Sequence, residues 1–125
     1  MYQTIIVADD SVTARMIIKR CLEIAGLSEA TFLDARDGTE ALELAKNNQV
    51  DLLVTDLNMP KMDGRSLLMH VKASPRLSEL PVLVISSVSN PAKVEELLGL
   101  GASAILGKPV SPADLAEVLE KLSND

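Results

Sequence analysis

The sequence predicts an α/β fold: one parallel sheet of five strands with five helices on both faces. Two observations carry this. Short β-branched or apolar runs alternate with stretches of helical spacing along the chain. Three of the runs, TIIVA, LLVT and PVLVIS, are nearly continuous in apolar residues, as strands covered on both faces are. Such alternation gives a parallel sheet. Right-handed crossovers restrict the strand order, and 2-1-3-4-5 is a common solution.

Each element has its own reason. Thr4 to Ala8 is the first strand. Ser11 then opens a helix in which Ala14, Ile17, Ile18, Cys21 and Ala25 fall at helical spacing, and Gly26 stops it. Thr31 to Ala35 reads as the second strand. Asp37-Gly38 turns into a helix with Ala41, Leu42 and Ala45 inward. Leu52 to Thr55 is the third strand, and the helix after it turns Leu67, Leu68 and Val71 inward. Pro81 to Ser86 is the fourth strand. Asn90-Pro91 supplies a cap and a first-turn proline for a helix with Val94, Leu97 and Leu98 inward. Ala104 to Leu106 is a short fifth strand. Ser111-Pro112 opens a last helix with Leu115, Val118, Leu119 and Leu122 on one face.

Composition narrows the function. A chain of 125 residues predicts one domain over its whole length, with no output domain. The net charge of -6 argues against nucleic acid as a partner, because phosphate repels acid. A single cysteine, Cys21, excludes an internal disulfide and a thiolate zinc cage. It suggests a reducing, cytoplasmic setting. The N-terminal apolar run is too short for a signal peptide or a membrane span.

The chemistry gathers at the strand exits. Asp9 and Asp10 leave the first strand and Asp56 leaves the third. In the predicted order these strands are neighbours, about 4.8 Å apart, at the switch point where open α/β sheets bind ligands. Carboxylates that close repel one another. A hard cation offsets this, and few oxygen ligands with room for water suit Mg²⁺. Ser86 closes the fourth strand and Lys108 follows the fifth. Metal, lysine and hydroxyl on one rim make a phosphoryl site. Asp56 is the central carboxylate and so the candidate nucleophile. Each residue also has a plainer reading. Asp9 and Asp10 fit a helix N-terminus, Asp56 a turn, Ser86 a strand end and Lys108 a solvated loop. Their convergence favours the functional one. A calcium loop starting at Asp56 fails, since Lys61 and Leu67 stand where Gly and Glu are needed.

Taken together, Asp9-Asp10, Asp56 within TDLNMPKMDG, Ser86 after VLVI, and Lys108-Pro109 resemble the receiver domain of two-component response regulators. Spacing and order agree over the whole chain, which resembles a single-domain, CheY-like member with the flavodoxin-like doubly wound fold. The resemblance implies a phosphorylation-activated switch, possible in chemotaxis, rather than an enzyme acting on another substrate. A histidine kinase or phosphotransfer protein would phosphorylate Asp56. Asp10, Asp56 and the Asn58 carbonyl would hold Mg²⁺, with Asp9 acting through water. The bond before Pro109 would be cis, where proline makes cis cheap. A monomer would signal to a downstream protein through the face made by the fourth and fifth strands and their following helices.

Three positions depart from common family patterns: Ile105 for an aromatic switch residue, Leu57 after the phosphoacceptor, and Val88 for an acid two residues past Ser86. They leave the phosphorylation site intact and bear on output and phosphoryl lifetime. A phosphorylation-independent adaptor predicts loss of Asp56, Lys108 or the acid pair, and all are present. A Mg²⁺-dependent phosphotransfer enzyme predicts a cap insertion, and the connections are short.

Overall fold

The computed structural model describes residues 2–87 and 90–123. Val88 therefore lies outside the described residues. Five strands, β1 (Thr4–Ala8), β2 (Thr31–Ala35), β3 (Leu52–Asp56), β4 (Val82–Ser86) and β5 (Ala104–Gly107), pair in parallel in the order β2-β1-β3-β4-β5. Five helices alternate with them: α1 (Val12–Leu22), α2 (Gly38–Asn47), α3 (Gly64–Ala73), α4 (Pro91–Gly99) and α5 (Pro112–Ser123).

The starts are built as the side chains require. Ser11, Asp37, Asp63 and Asn90 are extended residues whose side chains accept from backbone N–H groups of the first turns of α1 to α4. Ser111 does the same for Asp114 in α5. After α1 the chain widens into a π turn, Glu23–Leu27, where Gly26 takes a left-handed φ of 117°.

Alternate residues of each strand feed opposite layers. Ile5, Val7, Leu52, Val54, Leu83 and Ile85 pack with Ile18 and Leu22 of α1 and Leu115 and Leu119 of α5. Ile6, Leu53, Val82 and Val84 pack with α2, α3 and Leu97 of α4. Strands β3 and β4 are buried along their whole length. Each fully buried Leu or Ile contributes roughly 1.5–3 kcal/mol, so this centre holds the sheet.

Two inward assignments need correction. Ile17 is 51% exposed and Leu98 is 47% exposed. The stripe of α1 is turned toward Arg15, Ile18 and Leu22, and α4 buries Leu97 alone.

Candidate functional site

The register brings the polar strand exits to one edge. Ala8 pairs with Thr55, Asp56 with Ile85, and Ser86 with Gly107. Asp9, Asp56, Ser86 and Lys108 therefore stand at the carboxyl ends of neighbouring strands. Asp56 is the last residue of β3 rather than the first of a loop, and its side chain is buried.

Lys108 draws the rim together. From β5 it reaches back across β4. Its Nζ lies 3.1 Å from Asp56 Oδ1 and 3.2 Å from Asp9 Oδ2. Asp9 Oδ1 accepts the Ser11 N–H at 2.9 Å. Asp9 is thus engaged through both oxygens, whereas Asp10 is exposed. One carboxylate oxygen each from Asp9, Asp10 and Asp56 lie within 4.8 Å of one another. Ser86 is buried at the next exit, where its carbonyl accepts the Lys108 N–H at 3.0 Å. Asn58 stands exposed in the loop just past Asp56, and the Lys108–Pro109 bond is cis.

The electrostatics follow from this crowding. Burial, with the Asp9 charge adding to it, pushes the Asp56 carboxyl above the ordinary 3.8, although Lys108 and the Leu57 N–H oppose the rise. Burial works against the Lys108 ammonium too. Its hydrogen bonds to Asp56 and Asp9 outweigh that and raise its value. Both values rise, with opposite meaning: the charged lysine is favoured because it has two carboxylate partners, and the charged Asp56 is disfavoured because it is buried and shares one lysine with a second acid. The donor set fits a small divalent cation: all oxygen, charge in excess of the single lysine, and an exposed member to admit it.

The loop after Asp56 is seated by two glycines that give no such signal in the sequence. The Gly64 N–H donates to the Leu57 carbonyl at 2.8 Å, and a Cβ there would stand 2.2 Å from the Asp56 carbonyl oxygen. The Gly38 N–H donates to the Met62 carbonyl at 2.9 Å, and a Cβ would stand 2.4 Å from that oxygen. Lys61 in the same loop takes a left-handed φ of 66°. Arg15 is a further missed participant. It is buried, and its Nη1 donates to the Asp9 carbonyl at 2.6 Å. Its place beside Ile18 and Leu22 at helical spacing was the available signal.

A doubly wound sheet with three acids and a lysine at its switch point is a site class suited to phosphoryl groups with a divalent cation. The family model for the response regulator receiver domain matches residues 5–120. The chain is 36% identical over 118 residues to chemotaxis protein CheY-3 of Vibrio cholerae, covering 94% of this chain and 89% of that one. It is 37% identical to chemotaxis protein CheY of Pseudomonas aeruginosa, covering 94% of each. The solved structure of chemotaxis response regulator CheY4 of Vibrio cholerae superposes with a TM-score of 0.84 at 29% identity, covering 98% of this chain and 99% of that one. The chain belongs to the response regulator receiver family. It has the CheY-like fold, which marks it as a signalling domain. Among the described residues no helix is long and apolar enough to cross a membrane.

Proposed function

We propose that this protein is a phosphorylation-activated switch of a two-component pathway, with Asp56 as phosphoacceptor. The observation that carries it is the Lys108 bridge between Asp56 and Asp9 beside an exposed third acid. A lysine so placed orients the Asp56 carboxylate and stands ready to follow charge onto a phosphoryl group. Asp10, Asp56 and the Asn58 carbonyl would hold Mg²⁺, with Asp9 acting through water. Bound there, the ion supplies positive charge against phosphoryl oxygens.

The donor is a phosphohistidine on a histidine kinase or phosphotransfer protein. A carboxylate oxygen of Asp56 attacks phosphorus, the N–P bond breaks, and the imidazole leaves with its electron pair and takes a proton. The product is an acyl phosphate on Asp56. Lys108 and the Ser86 hydroxyl then bind its oxygens. Movement of Ser86 toward the phosphoryl group changes the packing beside β4. Ile105, β-branched and stiff at χ1, keeps the adjustment smaller than an aromatic would give. A monomer in the cytoplasm then presents an altered β4–α4–β5–α5 face to a downstream protein. The chain acts catalytically only on its own phosphorylation and dephosphorylation. Chemotaxis is the setting that the relatives' names suggest.

The test is incubation with acetyl phosphate and Mg²⁺, followed by intact mass and peptide mapping. One phosphoryl group at Asp56 is expected, lost in Asp56→Asn and in the absence of Mg²⁺. Undiminished labelling of Asp56→Asn overturns the assignment.

A further inference from the structure

The buried basic side chain among the described residues has no part in the chemistry above. Arg15 lies in the first turns of α1 with its side chain 8% exposed. Its guanidinium faces two ways. Nε donates to Asp34 Oδ2 of β2 at 3.0 Å. Nη1 donates to the main-chain carbonyl of Asp9 at 2.6 Å. That carbonyl belongs to the peptide unit joining Asp9 to Asp10.

Asp34 does not depend on the first contact alone for neutralisation. Lys19 Nζ already lies 2.9 Å and 3.1 Å from the two oxygens of Asp34. Nor does Asp9 lack other ties. Its N–H donates to the Ala35 carbonyl at 3.0 Å, and its side-chain oxygens accept from Ser11 and Lys108. The carbonyl is the remaining polar group of Asp9, and Arg15 occupies it. A charge-assisted hydrogen bond from a planar fork is short and directional, so it sets the orientation of a peptide plane. The peptide plane in question starts Asp10, the exposed acid of the three.

We infer that Arg15 is a positioning residue: it fixes the Asp9–Asp10 peptide from α1 and so sets where Asp10 can present its carboxylate to a cation. Asp34 takes the other side of the same guanidinium and ties α1 to β2. The inference rests on the reading of the acid cluster as a Mg²⁺ site. Groups behind metal ligands commonly change affinity 10–100-fold when removed.

Three variants separate positioning from mere stability. Arg15→Met keeps an apolar stem and leaves Asp34 paired with Lys19. Arg15→Lys keeps the charge but has no fork to bridge carboxylate and carbonyl. Asp34→Asn loosens the α1–β2 tie and leaves the Asp9 carbonyl contact available. Mg²⁺ binding is measured by calorimetry on each, with thermal unfolding alongside. We expect about 10-fold weaker Mg²⁺ binding in both Arg15 variants, with Asp34→Asn losing stability but staying close to wild-type affinity. In the metal-free protein, the Ser11 amide, which donates to Asp9, exchanges faster in Arg15→Met than in Asp34→Asn. Wild-type affinity in both Arg15 variants overturns the inference, as does an affinity loss in all three that tracks stability. Failure of wild type to bind Mg²⁺ sinks the metal reading instead. The amide comparison then decides the peptide tie alone, and unchanged Ser11 exchange in Arg15→Met overturns it.

Discussion

Two halves of the sheet edge are built differently. On the β1–β3 side, every group of Asp9 has a partner, and the loop from Leu57 to Asp63 is seated on α2 and α3 through Gly38 and Gly64. On the β4–β5 side, α4 buries only Leu97, and β5 is half-buried along most of its length. A groove of about 430 Å³ runs there between Pro91, Val94, Leu98 and Ile105. Phosphoryl chemistry needs ligands in fixed places. A signalling face needs the opposite, because an element held by few contacts shifts at low free-energy cost.

The contrast breaks most directly at Gly64. Any Cβ there meets the Asp56 backbone at 2.2 Å, with no flexible side chain to yield. Gly64→Ala should cost roughly 3 kcal/mol by overpacking, and it should depress Asp56 phosphorylation even below the unfolding range. Leu97→Ala on the other side should cost a similar amount, about 2–4 kcal/mol, through the cavity left under α4. Its phosphorylation rate should stay near wild type while hydrogen exchange in α4 accelerates. Denaturant unfolding and acetyl phosphate labelling on both variants check the pair. Equal loss of phosphorylation would erase the distinction.

Titration sharpens the comparison next. Folding raises the Asp56 carboxyl above 3.8, so the folded chain binds that proton more tightly than the unfolded one. The Asp56 contribution to stability therefore falls as pH rises from 3.8 through the raised value. Asp34 differs. Burial opposes its charge, but hydrogen bonds and attraction from Lys19 and Arg15 outweigh this and lower its value. Its contribution is present above 3.8 and is lost as pH falls through the lowered value. Carboxyl NMR titration of the metal-free protein should place Asp56 above Asp34. Lys108→Gln should move Asp56 further up and leave Asp34 unmoved. The reverse order contradicts the assigned burial and pairing.

The smallest expected effect lies at Gly99, where α4 ends and an added Cβ meets nothing within 4 Å. Gly99→Ala should stabilise by about 0.5 kcal/mol, mainly by restricting the unfolded chain. Thermal unfolding reads it, and a loss beyond about 1 kcal/mol would show that this half is packed more tightly than its surface suggests.

Much of this was legible in the residues. The apolar runs of β1, β3 and β4 gave strands, because a strand covered on both faces must be apolar on both. Parallel pairing then put Asp9, Asp10, Asp56, Ser86 and Lys108 on one edge, because residues that end neighbouring strands share a rim. What tertiary structure alone decided is rotation, reach and close approach. Helical spacing put Ile17 in the inward stripe of α1, and the packed sheet took Arg15 instead, because the guanidinium finds Asp34 and a strand-end carbonyl there. Lys108 is one flexible side chain in a loop, and only the assembled rim shows it spanning Asp9 and Asp56. Gly38 reads as a turn residue in the chain, and Gly64 is the last residue of the TDLNMPKMDG stretch. Their reason is distance: backbone from another element lies where a side chain would begin.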